Sequence, residues 1–278
     1  MKNLKSFLTR RPALSVIILT ITWFILIMLF AGVASNLLKK GFGDPIVLFI
    51  GHLAGIVFTL LLLWRLGWLK SSGIARLGTC QTWLLAIGGT VYFALASLYS
   101  FFGKLSFDFA NLVDLSSSGG IVASRLANCA GEEMLFRGIA LYILIQSWGN
   151  SKKGIVGSVL LISLIFALFH SIWALSSGFS LAMVLSLVET LFISIWWAAL
   201  VLKGGSIWPA FFAHFIINAM VAVQSISNKM IQPEVNAYMF MLLFSIPLGL
   251  IGFWLITRRV SNIVPAFISG SVQKSSMR

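Results

Sequence analysis

A chain of 278 residues with 59% apolar and 10% charged side chains and a mean hydropathy of +0.99 has too little polar surface to fold as a water-soluble globule. It needs lipid outside as well as packing inside, so the sequence reads as an all-α, polytopic transmembrane bundle. The net charge of +13 does not indicate a nucleic-acid partner, because the basic residues sit in short clusters between apolar runs and form no recurrent basic face.

Eight apolar segments, each roughly 20 residues or longer as the bilayer demands, follow in order: 12–38, 46–69, 82–102, 121–148, 155–175, 181–202, 206–225 and 236–257. The first is preceded by Lys2, Lys5, Arg10 and Arg11. Its apolar run exceeds the roughly 7–15 residues of a signal-peptide core, so it is expected to be a retained helix. The low-charge stretch 104–120 reads as a loop or an interfacial helix. The fourth segment is the weakest by hydropathy, because it contains Arg125, Glu132, Glu133 and Arg137.

With the N-terminus inside, Lys2, Lys5, Arg10, Arg11, Arg65, Lys70, Arg76, Lys152, Lys153, Lys203, Arg258, Arg259, Lys274 and Arg278 fall on one side. Only Lys39, Lys40, Lys104, Arg125 and Lys229 fall on the other. That asymmetry predicts about eight spans with both termini cytoplasmic, and the plasma membrane as location if the source is bacterial. Residues 1–278 read as a single integral membrane domain. Cys80 and Cys129 show no metal-type spacing and read as buried free thiols.

Of the seven acids, Glu132, Glu133 and Glu189 lie inside expected spans, as do all three histidines, His52, His170 and His214. An ionisable group near mid-bilayer costs about 2.5–3.5 kcal/mol on insertion scales, so these groups should face one another and mark a functional site. Glu133 and Arg137 are four apart and share a helix face, which predicts an ion pair. Glu132 lies about 100° round the helix and is left free for chemistry. A poorly solvated carboxylate there suits a general base or acid. His170 ends the fifth segment's Phe166-Ala167-Leu168-Phe169-His170, and His214 and Asn218 project from one face of the seventh. Together these residues can supply a base for water and donors for an oxyanion. His52 is expected to be a packing residue, and Glu189 to pair with a neighbouring helix or reach the site. Cys129 is the weaker alternative as a thiol nucleophile.

The motifs Glu132-Glu133-…-Arg137, Phe166-…-His170 and His214-…-Asn218 resemble the EExxxR, FxxxH and HxxxN signature of the CAAX protease and bacteriocin-processing (CPBP) family of intramembrane proteases. Phe136-Arg137-Gly138 and Gly205-Ser206-Ile207-Trp208-Pro209-Ala210 fit as flanks. The resemblance covers a core at 121–226. It implies an endopeptidase that acts on a membrane-associated substrate, a CAAX-type prenylated protein or a leader- or bacteriocin-type peptide. By the same resemblance Glu132 and His170 activate water, His214 and Asn218 hold the oxyanion, and Glu133 and Arg137 support them.

No HExxH is present. A metal-free glutamate mechanism is expected, with no required cofactor. The alternative is zinc on Glu132, His170 and His214. Two further functional classes stand beside the protease: a non-catalytic immunity or scaffold protein on the same fold, and a transporter or proton relay. The last should show inverted repeats and broken helix pairs, which the sequence does not display.

Overall fold

The computed structural model describes residues 2–102, 115–175, 179–227 and 235–258. These are helical apart from short connections, with no strand among the described residues. The elements are α1 (Lys2–Arg10), α2 (Pro12–Leu38), α3 (Pro45–Leu66), α4 (Cys80–Phe102), α5 (Leu115–Glu133), a π-helical segment (Met134–Ala140), α6 (Leu141–Trp148), α7 (Lys152–Leu175), α8 (Leu181–Gly204), α9 (Trp208–Ser227) and α10 (Val235–Arg258). Each of the eight apolar segments coincides with helix. Five helical stretches are long and apolar enough to cross a membrane: Pro12–Leu38, Pro45–Leu66, Lys152–Ser171, Leu181–Gly204 and Met241–Arg258.

Local chemistry fixes the breaks. Pro12 opens α2 and drives Arg11 out of the helical region, which separates α2 from α1. Pro45 opens α3, and the Asp44 carboxylate accepts from the Ile46 N–H at 2.9 Å, a side-chain N-cap. That bond, with Lys40 Nζ 3.1 Å away, holds the Asp44 carboxyl below its ordinary range. α3 ends at Gly67 with φ +66°, where the Gly67 and Trp68 N–H groups close onto the carbonyls of Trp64 and Leu63 in a Schellman motif.

The apolar surface confirms what surrounds the bundle. Ile21, Ile25 and Leu29 on α2, Leu61 and Trp64 on α3, and Leu243, Leu250 and Trp254 on α10 are all exposed. In water such continuous apolar faces would aggregate; in lipid they are at home. Inside, small residues allow close approach, since helices in lipid associate mainly by packing. A Cβ on Gly51 or Gly55 of α3 would collide with Ile27 or Trp23 of α2, and one on Gly249 or Gly252 of α10 with Phe192 or Trp196 of α8. The protein is an all-helical integral membrane protein.

The innermost layer is 131–145, every residue of which is buried, together with the buried second half of α8. α5 packs on α3 and α9, and α8 on α7 and α10. The segment expected to be the least hydropathic therefore supplies the centre of the bundle, where protein rather than lipid surrounds Glu132, Glu133 and Arg137.

One expectation needs correction. Cys129 is buried, but Cys80 is exposed, because it stands in the first turn of α4. The stretch 104–120, expected as a loop or an interfacial helix, is helix from Leu115 and continues into the fourth segment; its part at 104–114 lies outside the described residues, as do Lys229, Arg259, Lys274 and Arg278.

Candidate active site

The π-helical segment begins directly after Glu133 and carries Arg137. π-turns inside α-helices are uncommon and concentrate at functional sites, because the extra residue turns the side chains that follow. Here the Arg137 guanidinium donates to Glu133 Oε1 at 3.0 Å and to Ser194 Oγ of α8 at 2.9 Å. Its Cζ lies 4.2 Å from the ring centroid of Phe166 and 5.3 Å from that of Trp197. Arg137 and Glu133 are wholly buried. The expected ion pair is present, and two aromatic faces complete the cation's surroundings.

Glu133 Oε1 also stands 2.9 Å from His214 Nδ1. A carboxylate only accepts, so Nδ1 carries the proton and Nε2 is turned inward. The His214 ring is stacked on Trp197, 4.2 Å between centroids and 24° between planes. His170 is fixed in the same way by a different acceptor: its Nδ1 lies 3.0 Å from the Phe166 carbonyl. That bond is the physical content of the Phe166-…-His170 spacing, since a carbonyl four residues back lies under the side chain on an α-helix. The Phe166 ring then covers both His170 and Arg137.

Both inward nitrogens meet one carboxylate. Glu132 Oε2 lies 3.7 Å from His170 Nε2 and 3.6 Å from His214 Nε2, and it has no hydrogen-bond partner although buried. With both Nδ1 atoms protonated and the rings neutral, all three converging atoms are acceptors. Such a cluster calls for a hydrogen-bond donor or a cation between its members. Asn218 Nδ2 completes the group, 3.0 Å from His214 Nε2 and 3.3 Å from Cys129 Sγ.

Glu132, His170 and Asn218 line a cavity of about 410 Å³. Its remaining wall is largely apolar, with Trp23, Phe24, Ile27 and Met28 of α2, Phe42 and Leu48 around the α2–α3 connection, and Phe169 of α7. His214 lies behind this wall, only 1% exposed, whereas His170 is 33% exposed. An apolar cleft with a few convergent polar groups is the usual form of a substrate site.

The donor set also fits a metal. One ligand atom from each of Glu132, His170 and His214 falls within 4.8 Å of the others. Tetrahedral zinc ligands about 2.1 Å from the ion stand about 3.4 Å apart, near the 3.7 and 3.6 Å that separate Glu132 from the two histidines. Acceptors on both Nδ1 atoms are the usual outer support of such ligands.

All seven motif residues are thus brought together: Glu132, His170, His214 and Asn218 around the inward atoms, Glu133 and Arg137 behind them, and Phe166 against both histidines. Glu189 is not among the residues lining the cavity, whereas His52 is, with Nδ1 buried and unpartnered. Ser194 and Trp197 escaped sequence reasoning because nothing in α8 marks them. Arg125 and Asn128 also face the cavity. The four-residue spacing from Asn128 to Glu132 is legible in the sequence as a shared helix face, and Arg125, a further three residues back, lies on the same stripe.

Among known proteins, the chain has no significant match to a curated protein or to a solved structure. It does match the family described as type II CAAX prenyl endopeptidase Rce1-like, over residues 114–220. That range contains Glu132, His170, His214 and Asn218. Residues 114–220 are therefore similar to the Rce1-like domain, a match consistent with the resemblance to the CPBP family.

Proposed function

We propose that this chain is an intramembrane endopeptidase that hydrolyses a peptide bond of a membrane-associated substrate, a CAAX-type prenylated protein or a leader- or bacteriocin-type peptide, with water activated by Glu132. The observation that carries the reading is the convergence of Glu132 Oε2, His170 Nε2 and His214 Nε2 at 3.6–3.7 Å in the wall of an apolar cavity.

In this reading a water between these atoms gives one proton to Glu132 and directs the other to His170 Nε2. The hydroxide attacks the scissile carbonyl carbon. The oxyanion is held by the Asn218 Nδ2–H and by His214, to whose Nε2, 3.6 Å away, Glu132 lends the proton it has taken while the intermediate lasts, Nδ1–H staying on Glu133. Collapse breaks the C–N bond, and Glu132 returns its proton to the leaving amine. Glu133 and Arg137 keep His214 aligned. The catalytic core is 121–226 within a single integral membrane domain, 1–278, of about eight spans with both termini cytoplasmic, in the plasma membrane if the source is bacterial.

No cofactor is required in this scheme, and the Asn218 amide against His214 Nε2 favours it. A second reading is zinc held by Glu132, His170 and His214, favoured by the spacing of the three ligand atoms; when bound, zinc would supply Lewis-acid polarisation of water and carbonyl.

The test is comparative mass spectrometry of membrane proteins and peptides from cells carrying the wild-type chain or Glu132→Gln. The proposal expects an uncleaved precursor to accumulate with the variant. Identical peptide profiles, with the variant inserted at normal levels, would favour a non-catalytic immunity or scaffold role.

A further inference from the structure

The cavity that Glu132 lines is open at one end of the bundle and sealed at the other. Its mouth lies at the α2–α3 connection and the first half of α5, where Phe42, Gly43 and Arg125 line it and are exposed. Gly120 and Pro45 meet at this end, since a Cβ on Gly120 would stand 3.6 Å from that of Pro45. At 1.5 Å per residue, Arg125 is about 10.5 Å along α5 from Glu132. In the other direction the chain runs from Glu132 to Trp148, roughly 24 Å at the same rise, and every residue from 131 to 145 is buried. α1 covers that end. The Thr9 carbonyl accepts from Ser147 Oγ at 2.9 Å, Leu8 is buried, and Lys5 sits over Trp68, whose ring packs on Tyr142.

The two ends also differ in charge. Arg11, Arg76, Lys152, Lys203 and Arg258 flank the helix termini at the sealed end, where Ser206 Oγ donates to the Arg76 carbonyl and ties the α3–α4 and α8–α9 connections together. At the open end the basic residues among those described are Lys39, Lys40 and Arg125, and Lys40 is paired with Asp44. Short connections rich in Lys and Arg stay on the cytoplasmic side of a membrane protein. From the sealed basic end and the open end opposite it, and resting on the endopeptidase reading above, we infer that the active site opens on the extracytoplasmic face and cuts segments that have already crossed the membrane. A translocation step must therefore supply the substrate, and the product is released outside. An exported leader- or bacteriocin-type peptide meets this mouth, whereas a prenylated protein held on the cytoplasmic leaflet does not. The apolar wall of Trp23, Phe24, Ile27 and Met28 suits a segment that passes from lipid into the cleft without exposing its apolar side chains to water.

The experiment uses the full-length protein in right-side-out and inverted membrane vesicles, probed with a membrane-impermeant maleimide. The native thiols are Cys80, exposed at the sealed end, and Cys129, which is buried. A Cβ on Gly43 meets nothing, so a cysteine fits at the mouth. The wild type is expected to label at Cys80 in inverted vesicles only. Gly43→Cys in a Cys80→Ser background is expected to label in right-side-out vesicles only. In parallel, peptide termini formed by the wild type and lost in Glu132→Gln are mapped by mass spectrometry onto the membrane proteins and peptides that yield them, and they are expected to lie on extracytoplasmic segments. Labelling of Gly43→Cys from the cytoplasmic side, or cut sites on cytoplasmic segments, would overturn the inference while leaving the endopeptidase reading intact. Identical termini with the wild type and a normally inserted Glu132→Gln protein would overturn both.

Discussion

His214 Nδ1 and Glu133 Oε1 stand 2.9 Å apart, and the same carboxylate oxygen holds Arg137 NH1 at 3.0 Å. One buried oxygen therefore joins the structural ion pair to the ring that faces the proposed oxyanion. The two roles can be separated. Removing one partner of a buried pair strands the other charge, at about 3–5 kcal/mol, so Arg137→Met should lower thermal stability in detergent by about that much. The double variant Glu133→Leu/Arg137→Met should recover most of the stability, because apolar replacement of both partners is often neutral. It should remain inactive, since His214 loses its acceptor. Thermal unfolding and turnover measured on the same samples check this.

Asn218 donates from the wall of the cavity, and its amide is the proposed oxyanion donor. Loss of one such donor costs about 10²–10³ in kcat in known hydrolases. Asn218→Ala should show that loss in turnover with little change in KM. A rise in KM at unchanged kcat would place the residue in substrate binding instead.

The two readings of the Glu132–His170–His214 cluster diverge under chelation. The metal-free scheme predicts that prolonged dialysis against a chelator leaves turnover intact and that purified active protein contains well under one equivalent of zinc. Loss of activity restored by zinc would establish the second reading.

Packing of α10 on α8 depends on backbone contact. A Cβ on Gly252 would come within 2.8 Å of Trp196 Cα, and backbone cannot rotate aside as a side chain can. Gly252→Leu should destabilise by at least the roughly 1–3 kcal/mol typical of overpacking. Gly157, around which a Cβ meets nothing, should accept Ala with no loss. Paired thermal melts compare them.

What could be read from sequence followed from helical geometry. The Glu133–Arg137 pair was legible because four residues make one turn, and the free role of Glu132 because it lies about 100° away. Convergence of three helices was legible only through the ordered motifs. The π-helical segment was not, because Met134–Ala140 carries no local signal for an inserted residue; packing of Arg137 between Phe166, Trp197 and Ser194 accompanies it. The exposure of Cys80 and the cavity-lining position of His52 depend on neighbours distant in sequence. Span number is legible only in part: the fourth segment owes its low hydropathy to the polar groups of the site.

The account stands or falls on Glu132 as the base that activates water. Its most direct test is cleavage of a prenyl-cysteine peptide in proteoliposomes by the wild type and by Glu132→Gln, with thermal melts of both proteins. The account predicts a loss of at least about 10²–10⁴ in turnover, the scale of general-base catalysis, in a variant that melts within a few degrees of the wild type. Turnover within a few-fold of the wild type in a well-folded Glu132→Gln protein would contradict it.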